Sequence, residues 1–134
     1  MRKLDWPNRL NKYFLSVKNE RFDDENYGTF NCAIFTGGAV KAITGIDHLA
    51  EFTGKYRTKE EADVILKTIG NGSLLKTIRK KFGPPVHGAF GQRGDIAWYD
   101  GACGIIIGST ALFIRDVHGF GTAKISKIKW AFKV

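Results

Sequence analysis

The strongest constraint on the fold is a change in the spacing of apolar residues at Gly83-Pro84-Pro85. Before these prolines, apolar residues recur every three or four positions, which is the period of an amphipathic α-helix. After them, short apolar runs alternate with glycines and small polar residues, as in β-strands. This order predicts an α+β fold, with helices in the first two thirds of the chain and a small antiparallel sheet in the last third.

Two helices are predicted before residue 45. The first covers about residues 7–18, with Pro7 in its first turn. The second begins at Cys32 and ends at about Thr44, and its inward face is predicted to carry Phe35, Ala39, Val40 and Ile43. Because glycine weakens a helix, the Gly37-Gly38 pair inside it indicates either a neighbour that packs closely there or a helix whose burial is decided by tertiary contacts.

Boundary residues predict two more helices and the strands that follow. Thr58 and Glu61 have the spacing of a capping box, and the helix they begin should stop at Gly70. Ser73 should cap a short fourth helix that ends at Gly83. Strands are predicted at residues 95–99, 104–107 and 111–115, and one or two more within 122–134.

Length and composition limit the classes of protein to consider. The 134 residues, 43% of them hydrophobic, suit one folded domain covering residues 1–134. The net charge of +8 would attract anionic partners. Residues 1–7 lack the apolar stretch of a secretory signal and no run is long enough to cross a membrane, so we expect synthesis in a reducing cytosol. His48 and Glu51 have no further ligands nearby, and neither a metal nor a cofactor is expected.

Cys32 is the residue most suited to chemistry. A cysteine in the first turn of a helix lies among unpaired backbone N–H groups at the positive end of the helix dipole. Both effects favour the thiolate, which is the reactive form of cysteine. The alternative is a small buried residue with no chemical role, which is common for free cysteines.

Several short motifs resemble those of NlpC-type peptidases, which have a papain-like fold. Residues 27–33 (YGTFNCA) are similar to the aromatic-Gly-x-x-Asp-Cys motif that opens the catalytic helix of the family. Residues 92–96 (QRGDI) resemble the turn into its central strand, and residues 102–108 (ACGIIIG) the His-Val-Gly-Ile-Tyr-Leu-Gly strand. Residues 130–134 resemble its last strand. The N-terminal WPNRL and the FTGKY at residues 52–56 extend the likeness to a phage and prophage branch, so that it covers nearly the whole chain.

The resemblance assigns roles to individual positions, and this chain departs from several of them. Cys32 corresponds to the nucleophile, but the general base, a histidine in active members, falls on Ala102. The acid before the cysteine is replaced by Asn31. At the third polar position the chain offers Ile114 and Arg115. The resemblance therefore implies a degenerate site.

Two histidines are alternative bases for Cys32. His118 lies in a glycine-flanked turn, and His87 follows the prolines. Either would need to lie within hydrogen-bond reach of the thiol. Cys103 should point to the opposite face of its strand from Ala102, which predicts a core residue and not a second thiol of the site.

Three functions follow from these observations. The first is a non-catalytic NlpC-like domain in the virion or tail of a phage, made in the host bacterial cytoplasm, with other phage structural proteins as partners and Trp6 or Trp130 as anchors. The second is an active cysteine hydrolase on peptide or amide bonds of peptidoglycan. The third is a basic nucleic-acid-binding module, in which Lys124, Lys127, Lys129 and Lys133 alternate with apolar residues along one ribbon.

Overall fold

A computed structural model describes residues 1–20, 27–28, 30–115 and 119–134. Four helices come first, and the six strands of one sheet follow them, which confirms the predicted α+β order. The helices are α1 (Trp6–Val17), α2 (Cys32–Thr44), α3 (Lys59–Thr68) and α4 (Leu74–Phe82). The strands are β1 (Val86–His87), β2 (Ile96–Tyr99), β3 (Ala102–Ile106), β4 (Thr110–Ile114), β5 (Phe120–Lys124) and β6 (Trp130–Phe132).

Side-chain caps begin three of the helices, two of them at the residues that the sequence predicts. The Thr58 hydroxyl accepts a hydrogen bond from the Glu61 N–H at 3.1 Å, and the Ser73 hydroxyl accepts one from the Lys76 N–H at 3.2 Å. Asn31 caps α2 in the same way. Each cap satisfies one of the backbone donors that a helix leaves unpaired at its first turn.

The strands form an antiparallel sheet in the order β1-β6-β2-β3-β4-β5. Strands β2 and β3 are joined by the tight turn Asp100-Gly101, in which both residues have positive φ, at 51° and 76°. That turn suits the twist of a hairpin and sets Tyr99 opposite Ala102. Strand β1 was not predicted, because two residues are too few to show an alternating pattern.

Helix α2 lies against the middle of the sheet and packs at the centre of the larger hydrophobic cluster. The residues predicted for its inward face are all buried, and they pack with Leu10 of α1, Ile105 of β3 and Phe132 of β6. Gly38 allows the Tyr13 ring of α1 to approach, and the Tyr13 hydroxyl donates a hydrogen bond to the Phe35 carbonyl at 2.8 Å. The close neighbour that the glycine pair indicated is therefore confirmed.

Asp95 ties both ends of the described chain to the sheet. Its carboxylate is almost completely buried and accepts hydrogen bonds from Arg2 and Lys133, both at 2.9 Å. It also accepts hydrogen bonds from the backbone N–H groups of Gln92 at 2.9 Å and Val134 at 3.2 Å. Because removal of one partner leaves a buried charge or donor uncompensated, this cluster should be sensitive to substitution of Asp95.

Replacing Asp95 with alanine should lower the free energy of unfolding by about 3 kcal/mol, because it leaves buried donors and two cations without their partner. Urea denaturation measures the change. Asp5→Ala is a matched control, since Asp5 is exposed and makes no capping hydrogen bond, and it should change stability by less than about 0.5 kcal/mol. Equal effects of the two variants would contradict the role given to Asp95.

Candidate functional site

Cys32 is the first residue of α2 and lies where two cavities meet. One is an apolar cavity of about 100 Å³ inside the helical layer, lined from α2, α3 and α4 and from the segment between α2 and α3. The other is a wider groove of about 460 Å³ that runs between α3 and the start of β3. Cys32 as a residue is half-buried, and it lines the open groove as well as the apolar cavity.

Asn31 holds the start of α2 with every polar atom of its side chain. Its carbonyl oxygen accepts from the Ile34 N–H at 3.0 Å. Its amide nitrogen donates to the Tyr27 carbonyl and to the Tyr56 hydroxyl, both at 2.9 Å. Since the side chain is buried and fully paired, Asn31 acts as a helix cap that also fixes Tyr56.

The positions expected for a general base and an orienting group lie in the groove beside Cys32, but both are occupied by hydrocarbon side chains. Ala102, from β3, and Ile114, from β4, line the groove together with Cys32. Arg115 is exposed just after β4 and does not line the groove, so of these two residues it is Ile114 that lies beside Cys32. No histidine lines the groove within the described ranges, and the carboxylate found there is the exposed Asp63.

Two of the three histidines are placed by the structure, and neither lines the groove beside Cys32. His87 is exposed on β1, three strands away from β3, where its Nδ1 accepts a hydrogen bond from the Ala89 N–H at 3.1 Å. His48 lines the apolar cavity but its ring packs on Phe82, 4.7 Å away. The prediction for His118 lies outside the described residues.

Cys103 is a core residue, as predicted, but its thiol also contacts Cys32. Its Sγ lies 3.5 Å from the Cys32 carbonyl oxygen and is almost fully buried. Strand alternation alone did not predict this contact. Strand β3 lies close to the first turn of α2, so that Cys103 on the core face of the strand and Ala102 beside the groove are both near Cys32.

The two thiols have opposite tendencies to ionise. A hydrogen bond from the Cys103 thiol lowers the pKa of Cys32 to about 7, although burial opposes the shift, and the Ala33 N–H adds to the lowering. The same hydrogen bond, together with burial, raises the pKa of Cys103 well above its usual value. Cys32 is therefore the thiol that carries negative charge near neutral pH, and Cys103 is its donor.

Other groups at the site are kept neutral. Burial raises the pKa of Tyr27 to about 12 and also raises that of Tyr56. Burial lowers the pKa of His48, and the nearby Lys81 adds to this effect. Sequence reasoning did not predict that Tyr56 and His48 line the same apolar cavity as Cys32, because the segment between α2 and α3 has no periodic pattern that would locate it.

The surface features proposed from the sequence are arranged differently in the structure. Lys124 lies on β5 and Lys129 precedes β6, near opposite edges of the sheet, while Lys133 pairs with Asp95, so these lysines do not form one ribbon. The expected anchors, Trp6 and Trp130, are partly buried against the core. A different aromatic residue, Phe90, is 70% exposed.

Metal-binding clusters and membrane-spanning helices are both absent from the described part of the chain. No cluster of three or more His, Cys, Asp or Glu side chains that could hold a metal ion occurs among these residues. None of the helices within these ranges is long and apolar enough to span a membrane.

Comparison with known proteins identifies a family. No protein of curated function matches the sequence. A family model does match, and the match covers residues 1–134. The chain therefore belongs to the family described as "Domain of unknown function (DUF6950)".

Proposed function

We propose that this chain is a papain-like, NlpC-type domain that has lost its catalytic base and serves as a structural component of a phage virion or tail. The observation that carries the proposal is that Cys32, Ala102 and Ile114 line one groove, although they come from a helix and two different strands. These are positions at which the NlpC resemblance places the nucleophile, the base and the third polar residue.

The chemistry of the groove favours a non-catalytic role. A cysteine hydrolase needs a base within hydrogen-bond reach of its thiol and a group that orients the base. The methyl group of Ala102 accepts no proton, and the side chain of Ile114 orients no imidazole. The amide of Asn31 is committed to capping α2 and holding Tyr56. Cys32 can therefore form a thiolate, but the described groove offers no imidazole to pass a proton to a leaving group.

The net positive charge and one exposed aromatic side chain support a role in binding other proteins. The net charge of +8 favours encounter with acidic surfaces. Phe90 is 70% exposed and follows the edge strand β1, where a partner can reach both its ring and the strand. Large exposed aromatics are frequent anchors in protein interfaces. Assembly with other phage structural proteins after synthesis in the host bacterium is consistent with such a surface.

The second candidate is an active cysteine hydrolase that cleaves peptide or amide bonds of peptidoglycan. The observation that favours it is the lowered pKa of Cys32, about 7, at the border of an open groove. A thiol with that pKa is partly ionised at neutral pH and can attack a carbonyl carbon. The base would have to be His118, since His87 lies at the edge of the sheet and His48 packs on Phe82.

Substituting Ala102 with histidine should supply the missing base. The wild-type chain is expected to show no turnover of peptidoglycan peptides and to alkylate at Cys32 with a midpoint near pH 7. In Ala102→His, an imidazolium beside the thiolate should move that midpoint down by about one unit. The measurement is the pH dependence of the iodoacetamide reaction, with Cys32→Ser to identify the signal.

Thr122→His is the matched control, because Thr122 is exposed on β5 and does not line the groove. Its alkylation profile should equal that of the wild type. If Ala102→His also left the profile unchanged while folding normally, Ala102 would not occupy the position of the base. Turnover of peptidoglycan peptides by the wild type, abolished in Cys32→Ser, would establish the hydrolase instead.

The virion role predicts where the protein is found. In particles made by a phage or prophage that encodes this chain, mass spectrometry of purified tails should detect it in a fixed ratio to the other tail proteins. Recovery only from the soluble lysate, with none in purified particles, would overturn the structural role.

A further inference from the structure

The two cysteines of the chain meet across the packing interface between α2 and β3. They are 71 residues apart in the sequence, yet the Cys103 Sγ lies 3.5 Å from the Cys32 carbonyl oxygen. Both residues line the apolar cavity of about 100 Å³. A cross-link between them would therefore join two elements that already touch at this point.

Their surroundings give the two thiols different access to solvent. Cys32 is partly exposed and borders the open groove, so a small molecule in water reaches it directly. Cys103 is 1% exposed and does not line that groove. A solvent-borne oxidant should therefore meet Cys32 first, and Cys103 should react with whatever forms on Cys32.

A third polar group lies beside the pair. Thr36 is one helical turn after Cys32 and lines the same apolar cavity. Among the described residues its buried hydroxyl has no hydrogen-bond partner of ordinary geometry, although it lies near enough to Cys103 to favour the ionised form of that thiol. A hydroxyl in this position can donate to the Cys103 sulfur when Cys103 loses its proton.

We propose that Cys32 and Cys103 form an oxidisable dithiol, which hydrogen peroxide or another small hydroperoxide converts into a disulfide between α2 and β3. The proposal is independent of the role in a virion. It assigns a modification site to the pair, with Cys32 as the residue that meets the oxidant and Cys103 as the residue that resolves the product.

The reaction balances in two steps. The Cys32 thiolate attacks one peroxide oxygen, so that an S–O bond forms, the O–O bond breaks and hydroxide leaves; sulfur loses two electrons and the peroxide gains them. The Cys103 thiol then gives its proton to hydroxide, and its sulfur attacks the Cys32 sulfur. The S–S bond forms as the S–O bond breaks, and the second hydroxide leaves to be protonated as water.

Oxidation would change both the stability and the chemistry of the protein. A disulfide closes a long loop of chain and restricts the unfolded state, so the oxidised protein should melt at a higher temperature. It also removes the thiolate from the groove, and with it the reactivity of Cys32 toward electrophiles. A reductant such as dithiothreitol should reverse both effects.

The test is intact-mass analysis of the reduced full chain after treatment with hydrogen peroxide near neutral pH. The wild type should lose the mass of two hydrogen atoms, and proteolytic mapping should find one peptide pair joined through Cys32 and Cys103. Dithiothreitol should restore the starting mass. A wild-type product that gains oxygen on Cys32 and forms no internal disulfide would overturn the proposal.

Variants separate the roles of the two residues. Cys103→Ser should stop at the sulfenic acid of Cys32, which dimedone traps, whereas Cys32→Ser should resist oxidation because Cys103 is buried. Thr36→Val, which has nearly the same shape, should slow the second step and accumulate the trapped sulfenic acid. If Cys103→Ser does not fold, the wild-type mass and peptide map decide the question alone. Oxidation of Cys32→Ser at the wild-type rate would contradict the assigned order.

Discussion

The packing of α2 against the sheet is the interaction on which the rest of the structure depends. Phe35, Val40 and Ile43 are almost completely buried between α1 and the strands, and their burial fixes the helix in position. Apolar burial of this kind is the main source of stability in a small domain. Because α2 is held along its length and capped by Asn31, its first turn has a fixed position, and Cys32 meets β3 at the mouth of the groove.

The chemistry of Cys32 follows from a competition between two effects of that position. Burial beneath the helical layer disfavours a thiolate, while the hydrogen bond from Cys103 and the backbone N–H of Ala33 favour it. The hydrogen bonds prevail, and the thiol ionises with a pKa of about 7. The same contact makes Cys103 harder to ionise. The described part of the fold thus favours the Cys32 thiolate through core packing, and no imidazole from the described residues lines the groove beside it.

Local signals in the sequence predicted the helices well, and contacts between distant residues explain what was missed. Thr58 and Ser73 cap helices because short-range hydrogen bonds decide helix boundaries, and such bonds can be read from spacing. Strand register and twist decide the features that were missed. These are the two-residue strand β1, the contact of Cys103 with Cys32, and the position of Ile114, and not Arg115, in the groove. One side of the groove is formed by α3, and no local sequence pattern predicts the distance between α3 and β3.

The proposal that Cys32 has no histidine base is tested most directly by NMR titration of the three histidines of the chain. A thiolate paired with an imidazolium raises the pKa of that imidazole, and removal of the thiolate reverses the shift. We expect the titration curves of His48, His87 and His118 to be the same in the wild type and in Cys32→Ser, within a few tenths of a pH unit. A histidine whose pKa falls by about one unit or more in Cys32→Ser would be the base, and the non-catalytic interpretation would be wrong.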